Sequence, residues 1–430
     1  MIDKNIKKQL FDEKLSVEIR NKFYHVDLDP ISNHKRIFLD NAGGALRLKA
    51  ASDRFKELDE LPDCPEHSNK TALWLEKIHS KGKEDIRILL NASLNLGSVI
   101  TSLTASMIMF DMVRTIIDNV SGDNVVITKL AHPSAYDSVV KYAEKAGKEV
   151  RVAETNTKTG GVDVEEITKL IDENTCLLNC IYASNISGSV LDIESLVKES
   201  RKIKSDLYIA CDAVQHIPHG LVDLEKTPVD AINFGPYKFG APRGIGIGYM
   251  SDRASKLPHD KLTAKSLEID WELGSSAPAH FAAITELVNH VCWVGKKFIN
   301  SSDRRKLFAE GMTKINSHEK ALLYHMLNGT QKSKGLREIS GVKVLLDHED
   351  LSNRDLIIEL GFENLNYTEA VKKYEKEGII VFERLATSPY SKRMLKSFDI
   401  DGGVRVSPLH CHNIRDIEKF LEITQKISKL

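Results

Sequence analysis

Residues 231–250, AINFGPYKFGAPRGIGIGYM, decide the fold because they join two apolar runs through a glycine-rich turn that contains a single lysine. The runs AINFG (231–235) and GIGIGYM (244–250) predict strands, and Lys238 lies between them. The glycine spacing differs from that of a dinucleotide-binding fingerprint, and no G-x-x-x-x-G-K-[ST] motif occurs in the chain. Lys238 is therefore a candidate functional residue, although a lysine in such a stretch can also be a solvated loop residue or hold a phosphate.

The sequence before this stretch alternates between strand-like and helix-like segments. An amphipathic segment such as HPSAYDSVVKYAEKAG (132–147) predicts a helix between two strands. Short apolar strands separated by helices predict an α/β fold with a mostly parallel central sheet covered by helices. The further predicted strands are VVIT (125–128), KEVRVAE (148–154), CLLNCIYAS (176–184) and LYIACDA (207–213).

The pattern changes after about residue 290, where a long charged helical stretch precedes short strands and a closing helix. The short strands are VKVLLDHE (342–349), GIIVFERL (378–385) and GGVRVSP (402–408). This order predicts a smaller α+β domain. We predict an N-terminal segment that joins the small domain, a large cofactor-binding domain and a small C-terminal domain, at residues 1–40, 41–290 and 291–430 respectively.

The composition is that of an ordinary globular protein of two or three domains, with 430 residues, 42% hydrophobic and 28% charged. A net charge of -1 argues against binding to nucleic acid or to an anionic membrane. No apolar window is long enough to span a membrane, and the opening MIDKNIKKQLFDEKLS lacks the apolar core of a signal peptide. The 6 cysteines form no C-x-x-C pair. We expect a soluble cytoplasmic protein with neither disulfides nor a structural zinc site.

Polar side chains stand at the carboxyl ends of the predicted strands, where ligands bind in parallel α/β sheets. They are His132, Asn185, Asp212, Gln215 and Lys238. Each has an ordinary structural explanation by itself, since an aspartate after a strand is usually a helix cap and a lysine in a glycine-rich loop is often solvated. Their order and spacing together predict a functional site at one edge of one sheet.

The sequence resembles the class V aminotransferases, which are fold-type-I pyridoxal phosphate enzymes. This family includes cysteine desulfurases, selenocysteine lyases and isopenicillin N epimerase-like proteins. The Tyr-Lys-Phe-Gly sequence around Lys238 is most similar to the cysteine desulfurase-like branch. The resemblance implies the fold-type-I transferase fold and pyridoxal 5'-phosphate as the cofactor. The matching stretches are FLDNAGGAL (38–46), LAHPSAYDSV (130–139), YASNISGSVLDI (182–193), CDAVQHIPHGLVDL (211–224), VDAINFGPYKFGAPRGIG (229–246), WELGS (271–275) and GGVRVSPLHCHN (402–413).

The resemblance assigns roles to the residues at the strand ends. Lys238 would bind the cofactor as a Schiff base and, once freed, move the proton at Cα of the substrate. Asp212 would pair with the pyridine nitrogen, which makes the ring an electron sink. His132 would stack on the ring, while Gln215 and Asn185 would bond its phenolic oxygen. These roles make Lys238, His132 and Asp212 the predicted catalytic residues.

The remaining roles concern the phosphate, the substrate and the subunit interface. Thr104 and Ser106, in SLTAS before an apolar helix, would bind the phosphate. Ser275 would contact the phosphate of the neighbouring subunit, which implies a homodimer with the active site at the interface. Arg405 would clamp the substrate carboxylate as a bidentate fork, with Asn185 beside it. Tyr237, next to the lysine, is expected to line the cofactor.

Three departures from the family pattern bear on function. The family often has a phosphate-binding serine where this chain has Gly235, and a histidine where it has Tyr237. The loop that carries the persulfide cysteine of cysteine desulfurases corresponds to FERLATSPYSKRM (382–394), which contains no cysteine. The HCH triplet at 410–412 does not predict a metal site, because adjacent strand residues point to opposite sides.

We interpret the sequence as a pyridoxal phosphate enzyme that acts on a small α-amino acid. The favoured reactions are a cysteine desulfurase-like C–S or C–Se lyase reaction, without the usual persulfide cysteine, and transamination. An amino-acid epimerase is the alternative, because all three reactions begin by breaking a bond at Cα. A protein that binds the cofactor without turnover is a further hypothesis. A sugar aminotransferase is disfavoured, since Arg405 suits a carboxylate.

Overall fold

The computed structural model describes residues 6–62, 67–262 and 271–429. Short 3-10 turns cover Ile6–Lys8, Pro236–Lys238 and Leu336–Glu338. The strands are β1 Ile37–Phe38, β2 Ser98–Ser102, β3 Asn124–Thr128, β4 Glu149–Ala153, β5 Thr175–Ile181, β6 Tyr208–Asp212, β7 Ala231–Phe234, β8 Gly246–Met250, β9 Val342–Leu345, β10 Ile358–Phe362, β11 Ile379–Ile380, β12 Phe382–Leu385 and β13 Gly402–Val406. The α-helices are α1 Glu13–Arg20, α2 Lys49–Asp59, α3 Lys70–Leu90, α4 Ala105–Asn119, α5 Pro133–Lys145, α6 Val164–Thr168, α7 Ile193–Ile203, α8 Asp252–Ser255, α9 Pro278–Gly295, α10 Arg304–Asn328, α11 Tyr367–Lys376, α12 Lys392–Ser397 and α13 Ile414–Ile427.

A seven-stranded sheet with the order β2-β8-β7-β6-β5-β3-β4 forms the larger part of the molecule. Strands β3 to β7 pair in parallel, whereas β8 is antiparallel to both β7 and β2. The connection from β7 to β8 contains no long helix, and a parallel crossover usually needs one, so the chain returns antiparallel. The prediction of a mostly parallel sheet covered by helices is confirmed. The sequence pattern predicted neither β2 nor the direction of β8.

Helices cover both faces of this sheet. Val125 and Ile127 of β3 belong to one hydrophobic cluster with side chains of α4 and α5. Val126, between them, belongs to a second cluster on the opposite face. Successive strand side chains alternate between faces, so burial of all three requires helices on both sides. This is why the strands are almost continuously apolar.

A smaller antiparallel sheet, β12-β13-β10-β9, carries the C-terminal part of the site. Its core includes Leu39 of the N-terminal segment and side chains of α11 and α13. Helix α10 contributes to both cores: Leu307 packs with the large sheet, whereas Leu322 packs with the small sheet. The predicted domain boundaries stay a prediction. The sequence pattern missed β10, whose apolar run is interrupted by Glu359 and Gly361.

The structure can be examined for membrane-spanning helices and for the state of the cysteines. No helix in the three described ranges is long and apolar enough to cross a membrane. The five cysteines that lie in those ranges are buried and unpaired, namely Cys176, Cys180, Cys211, Cys292 and Cys411. Cys64 lies outside the described residues.

Candidate active site

Two adjoining cavities open at the carboxyl ends of β5, β6 and β7. The inner chamber has a volume of about 350 Å³, and the outer chamber of about 410 Å³ is shared with the small sheet. The walls of both include His132, Asn185, Tyr237 and Lys238. The inner chamber adds Thr104, Ser106, Asp212 and Gln215, and the outer chamber adds Asp40, Phe382, Arg384 and Arg405. The structure thus brings together every sequence-predicted site residue except Ser275.

Lys238 ends the 3-10 turn that follows β7, and its side chain is buried between the chambers. Its Nζ donates a hydrogen bond to Oε1 of Gln215 over 3.1 Å. Burial and, after it, the charge of Arg405 lower the pKa of Lys238 to about 7, although the charge of Asp212 opposes this shift. A substantial fraction of this amine is therefore neutral at neutral pH, as a nucleophile or base requires.

Asp212 is the last residue of β6 and lies on the wall of the inner chamber. Its Oδ1 accepts a hydrogen bond from the backbone N–H of Val214 over 3.1 Å. Burial raises the pKa of Asp212, while this hydrogen bond and the charge of Lys238 act in the opposite direction. A buried carboxylate is costly without a cationic partner, so this position suits a protonated ring nitrogen on the chamber side.

His132 caps the N-terminus of α5 and is held as a neutral ring. Its Nδ1 accepts a hydrogen bond from the backbone N–H of Ser134 over 3.2 Å. Burial, followed by the charge of Lys238, lowers the pKa of His132 to about 3. Proline at the first helical position, Pro133, fixes the backbone here. The ring therefore presents an uncharged face to the chambers rather than a titrating acid or base.

Asn185 supplies an unsatisfied acceptor to the site. Its Oδ1 is buried and has no hydrogen-bond partner. Its backbone carbonyl accepts a hydrogen bond from Nη1 of Arg405 over 3.3 Å. Buried polar atoms are nearly always paired, so an orphaned oxygen on a chamber wall points to a donor supplied by a ligand.

The N-terminus of α4 forms the far end of the inner chamber. Thr104 is its N-cap, and its Oγ1 accepts the backbone N–H of Met107 over 3.1 Å. Ser106 lies in the first turn and also lines the chamber. Strand β8 supports this end closely, because a Cβ on Gly246 would overlap the backbone of Thr104. The helix terminus supplies N–H groups and a favourable dipole for an anion such as phosphate.

The departures at residues 235 and 237 are structurally linked. A Cβ on Gly235 would lie 2.8 Å from Cε1 of Tyr237. The tyrosine ring therefore occupies the space that a side chain at 235 would need. The guanidinium of Arg243 stacks on this ring, with Cζ 4.1 Å from the ring centroid. A serine at 235 and a tyrosine at 237 are not compatible in this arrangement.

Arg405 projects from β13 into the outer chamber and is 2% exposed. Its Nη2 forms an ion pair with Oδ1 of Asp40 over 2.8 Å. Both terminal nitrogens of the expected carboxylate fork are thus already engaged, Nη2 by Asp40 and Nη1 by the carbonyl of Asn185. A substrate carboxylate must either share the guanidinium with Asp40 or displace it.

Sequence reasoning missed three charged residues of the site: Asp40, Arg243 and Arg384. All three lie within the stretches FLDNAGGAL, VDAINFGPYKFGAPRGIG and FERLATSPYSKRM. A charged residue inside an otherwise apolar or glycine-rich stretch was the available signal. The sequence pattern could not show that Asp40 pairs with Arg405, because 365 positions separate the two residues in the chain.

One predicted site residue, Ser275, and the HCH triplet lie apart from the chambers. Ser275 is exposed in the segment before α9 and does not line the chambers of its own chain. Its predicted contact involves a neighbouring subunit and stays a prediction. His410 and His412 have separate surroundings: Nε2 of His410 lies 3.0 Å from Nε2 of His290, and Nδ1 of His412 accepts the N–H of Leu409. The described ranges contain no group of three or more His, Cys, Asp or Glu that could hold a metal ion.

A mostly parallel sheet with a buried lysine at its carboxyl edge, faced by an arginine from a smaller sheet, defines a fold-type-I pyridoxal phosphate enzyme. The model of the family "Aminotransferase class-V" matches residues 37–420. The chain therefore belongs to the class V aminotransferase family, whose members are enzymes that depend on pyridoxal phosphate.

Curated relatives of this chain include proteins named as probable cysteine desulfurases. The protein from Borreliella burgdorferi is 28% identical over 271 residues, which cover 61% of this chain and 62% of that protein. The protein from Streptomyces coelicolor is 25% identical over 324 residues, which cover 71% of this chain and 73% of that protein. The match to the Borreliella protein thus spans slightly less than two thirds of its length.

Solved structures confirm the fold. The apo cysteine desulfurase of Thermococcus onnurineus has a TM-score of 0.78 at 17% identity, over 96% of this chain and 98% of that chain. The cysteine desulfurase CsdA of Escherichia coli has a TM-score of 0.76 at 16% identity, over 98% and 99%. The predicted fold-type-I architecture is therefore correct.

The residues of the inner chamber fit pyridoxal phosphate. The chamber offers a partly neutral amine at Lys238, a buried carboxyl group at Asp212 and an orphaned acceptor at Asn185. The N-terminus of α4 provides the anion-binding end. The amine, the carboxyl group and the helix terminus suit an aldehyde, a ring nitrogen and a phosphate, and the Asn185 oxygen suits a hydroxyl or N–H donor of the bound ligand.

Proposed function

We propose that this chain is a pyridoxal phosphate enzyme that acts on a small α-amino acid, either as a cysteine desulfurase-like C–S or C–Se lyase or as an aminotransferase. The observation that carries this proposal is the position of Lys238, whose buried amine lies between the inner chamber and Arg405. An amine with a pKa of about 7 can lose and regain a proton at neutral pH. A guanidinium nearby suits the carboxylate of an amino acid.

The chain's own residues divide the chemistry between them. Bound pyridoxal phosphate supplies an electron sink that stabilises negative charge at Cα of the attached amino acid. Lys238 would hold the cofactor covalently and, once freed, would move the proton at Cα of the substrate. Asp212 would keep the ring nitrogen protonated, and His132 would lie against the ring as a neutral imidazole. Arg405 orients the substrate carboxylate.

We further propose that turnover does not use a persulfide cysteine at the usual loop position. The segment 382–394 contains no cysteine. The cysteines of the described ranges are all buried, and none of them lines either chamber. A lyase that releases the sulfur or selenium directly, or a transaminase, requires no such thiol.

An epimerase and a cofactor-binding protein without turnover remain competing hypotheses. His132 is a poor second base, because burial lowers its pKa to about 3. This disfavours an epimerase that takes the proton on one face and returns it on the other. The presence of Lys238, Asp212 and Arg405 together disfavours a catalytically inactive site, since binding of the cofactor alone does not require all three residues.

The proposed functional unit is a homodimer in which Ser275 reaches the phosphate of the neighbouring subunit. Exposed apolar side chains from neighbouring segments support this proposal, because they would suit burial against a second copy. They are Leu94, Leu96, Leu103, Met107 and Leu273. Mixing Lys238→Ala with Ser275→Asp chains tests it: hybrid dimers should regain activity that neither variant has alone. Monomers in sedimentation experiments would refute it.

The absorption spectrum of the purified holoprotein before and after borohydride tests the function. We expect a visible band that borohydride removes, with the cofactor then fixed to Lys238. Lys238→Ala should keep its circular dichroism spectrum and lose turnover by at least about 10²-fold. Release of sulfide, formation of a keto acid or loss of optical activity identifies the reaction. A spectrum that no amino acid changes would support binding without turnover.

A further inference from the structure

The outer chamber contains more positive charge than an amino-acid carboxylate requires. Arg384 and Arg405 both line it, together with Lys238. Arg405 already has Asp40 as its ion-pair partner. Within the described ranges, no carboxylate lies at ion-pair distance from Arg384, whose hydrogen bond to the carbonyl of Tyr390 is long at 3.5 Å. Its Nε is buried and has no partner.

The small sheet places both guanidinium groups on one face. Phe382 lies opposite Arg405 in the antiparallel pair of β12 and β13, and Arg384 lies opposite Gly403. Residues opposite each other in an antiparallel pair share a face, and so do residues two apart on one strand. Arg384 and Arg405 therefore project together towards Lys238. Arg384 and Arg405 occupy diagonal positions of the β12–β13 pair, and Phe382 lies on the same face.

The buried acid Glu359 does not neutralise Arg384 by contact. Glu359 lies opposite Arg405 on β10 and is fully buried, and neither of its carboxyl oxygens has a hydrogen-bond partner. Burial raises the pKa of Glu359 to about 8, against the opposing charges of Arg405 and Arg384. Glu359 is therefore largely protonated at neutral pH. A partly desolvated arginine without an anionic contact is an expensive arrangement unless a ligand completes it.

We propose that Arg384 binds a second anionic group, so that the substrate is an acidic α-amino acid whose side chain ends in a carboxylate or a similar acid. This inference rests on the proposed function and adds to it the substrate class. Arg405 holds the α-carboxylate, and Arg384 holds the acid at the end of the side chain. The planar fork of arginine suits a carboxylate or sulfinate geometrically, which lysine does not.

Spectral titration of the holoenzyme with matched ligand pairs tests this assignment. L-aspartate against L-asparagine, and L-glutamate against L-glutamine, differ in charge with little change in shape. We expect at least one acid to change the cofactor spectrum at a concentration about tenfold lower than its amide does, the scale of one charged hydrogen bond. Arg384→Gln should abolish this preference, while Arg384→Lys retains part of it. Arg415→Gln, a surface variant paired with Glu13, should leave it unchanged.

The outcomes separate this inference from the function on which it rests. A wild-type holoenzyme that binds acids and amides equally would overturn the acidic substrate and leave the amino-acid enzyme intact. Equal weakening of acids and amides in Arg384→Gln would also overturn it, because Arg384 would then hold the α-carboxylate common to all ligands. A holoenzyme whose spectrum no amino acid changes would overturn both. Thermal melts of each variant show whether a loss reflects unfolding instead.

Discussion

Asp40 and Arg405 form an ion pair of 2.8 Å between the N-terminal segment and the small sheet, although 365 positions separate them in the chain. The pair occupies the place where the proposed substrate carboxylate binds. Arg405 is almost fully buried, and its Nε has no partner. The guanidinium is thus held in position by Asp40 and by the carbonyl of Asn185 before any substrate arrives. The site is preorganised but not freely open.

Asp40→Asn tests the competition between this aspartate and the substrate. The amide keeps one hydrogen bond to Arg405 and removes the negative charge beside the incoming carboxylate. We expect KM for a carboxylate substrate to fall by up to about tenfold, the worth of one charged hydrogen bond, with little change in kcat. Steady-state kinetics measures both parameters.

The control for this prediction is Arg405→Ala, which should raise KM strongly because it removes the guanidinium itself. A rise in KM for Asp40→Asn would show instead that Asp40 positions Arg405 and does not compete. An unchanged KM for Arg405→Ala would show that another residue holds the carboxylate.

The amine of Lys238 should titrate near neutrality in the cofactor-free protein. Burial lowers its pKa to about 7, so the rate of covalent cofactor attachment should rise with pH through a midpoint near 7. Free Nα-acetyl-lysine is the control, and its rate of attachment to the cofactor should have a midpoint at about pH 10.4. Stopped-flow absorbance measures both profiles. A midpoint for the protein near that of the free amine would show that Lys238 is solvated.

The same shift gives a dependence of stability on pH with a definite sign. Between about pH 7 and 10 an unfolded chain keeps a proton on this lysine that the folded chain lacks. Because the unfolded state then binds more protons, the free energy of unfolding should rise with pH across this window. Cofactor-free Lys238→Met removes this contribution, so the difference between wild type and variant should follow the same slope. Urea unfolding at several pH values measures it.

Gly246→Ala should destabilise the cofactor-free protein because β8 packs directly on the N-terminus of α4. The added methyl group would overlap the backbone of Thr104, which cannot move without shifting the helix. We expect a loss of about 1–3 kcal/mol or more in the free energy of unfolding. Gly274→Ala is the matched control, since its Cβ would meet no atom within 4 Å. Equal effects of the two variants would refute the close packing.

Gly235→Ser and Tyr237→His should be coupled. The serine by itself meets the tyrosine ring at 2.8 Å, so the single variant should lose about 1–3 kcal/mol of stability. The double variant has a smaller ring at 237 and should recover most of this loss. A double-mutant cycle measures the interaction. Additive effects would show that the two departures from the family pattern are independent.

The alternation of strands and helices was predictable because apolar side chains must face the core with the period of each element. The strand ends therefore identified His132, Asn185, Asp212, Gln215 and Lys238, all of which line the chambers. The pattern failed at β10, where Glu359 interrupts the apolar run. It also gave no pairing for β8, because strand direction depends on how the connection packs and not on the strand's own residues.

The sequence by itself determined the fold class through its periodicity and, through the family resemblance of its short motifs, predicted residues that line the inner chamber, such as Lys238 and Asp212 but not Arg243. Only the tertiary structure decided how the charged residues of the outer chamber pair, such as Asp40 with Arg405. Asp40, Arg384 and Arg405 line this chamber, and the buried Glu359 lies opposite Arg405; the charges of the first three residues act on the pKa of Glu359 through space. Electrostatic interaction depends on distance and on burial, and neither quantity is encoded at any one position in the chain. The charge balance that we propose selects the substrate is therefore a property of the folded molecule.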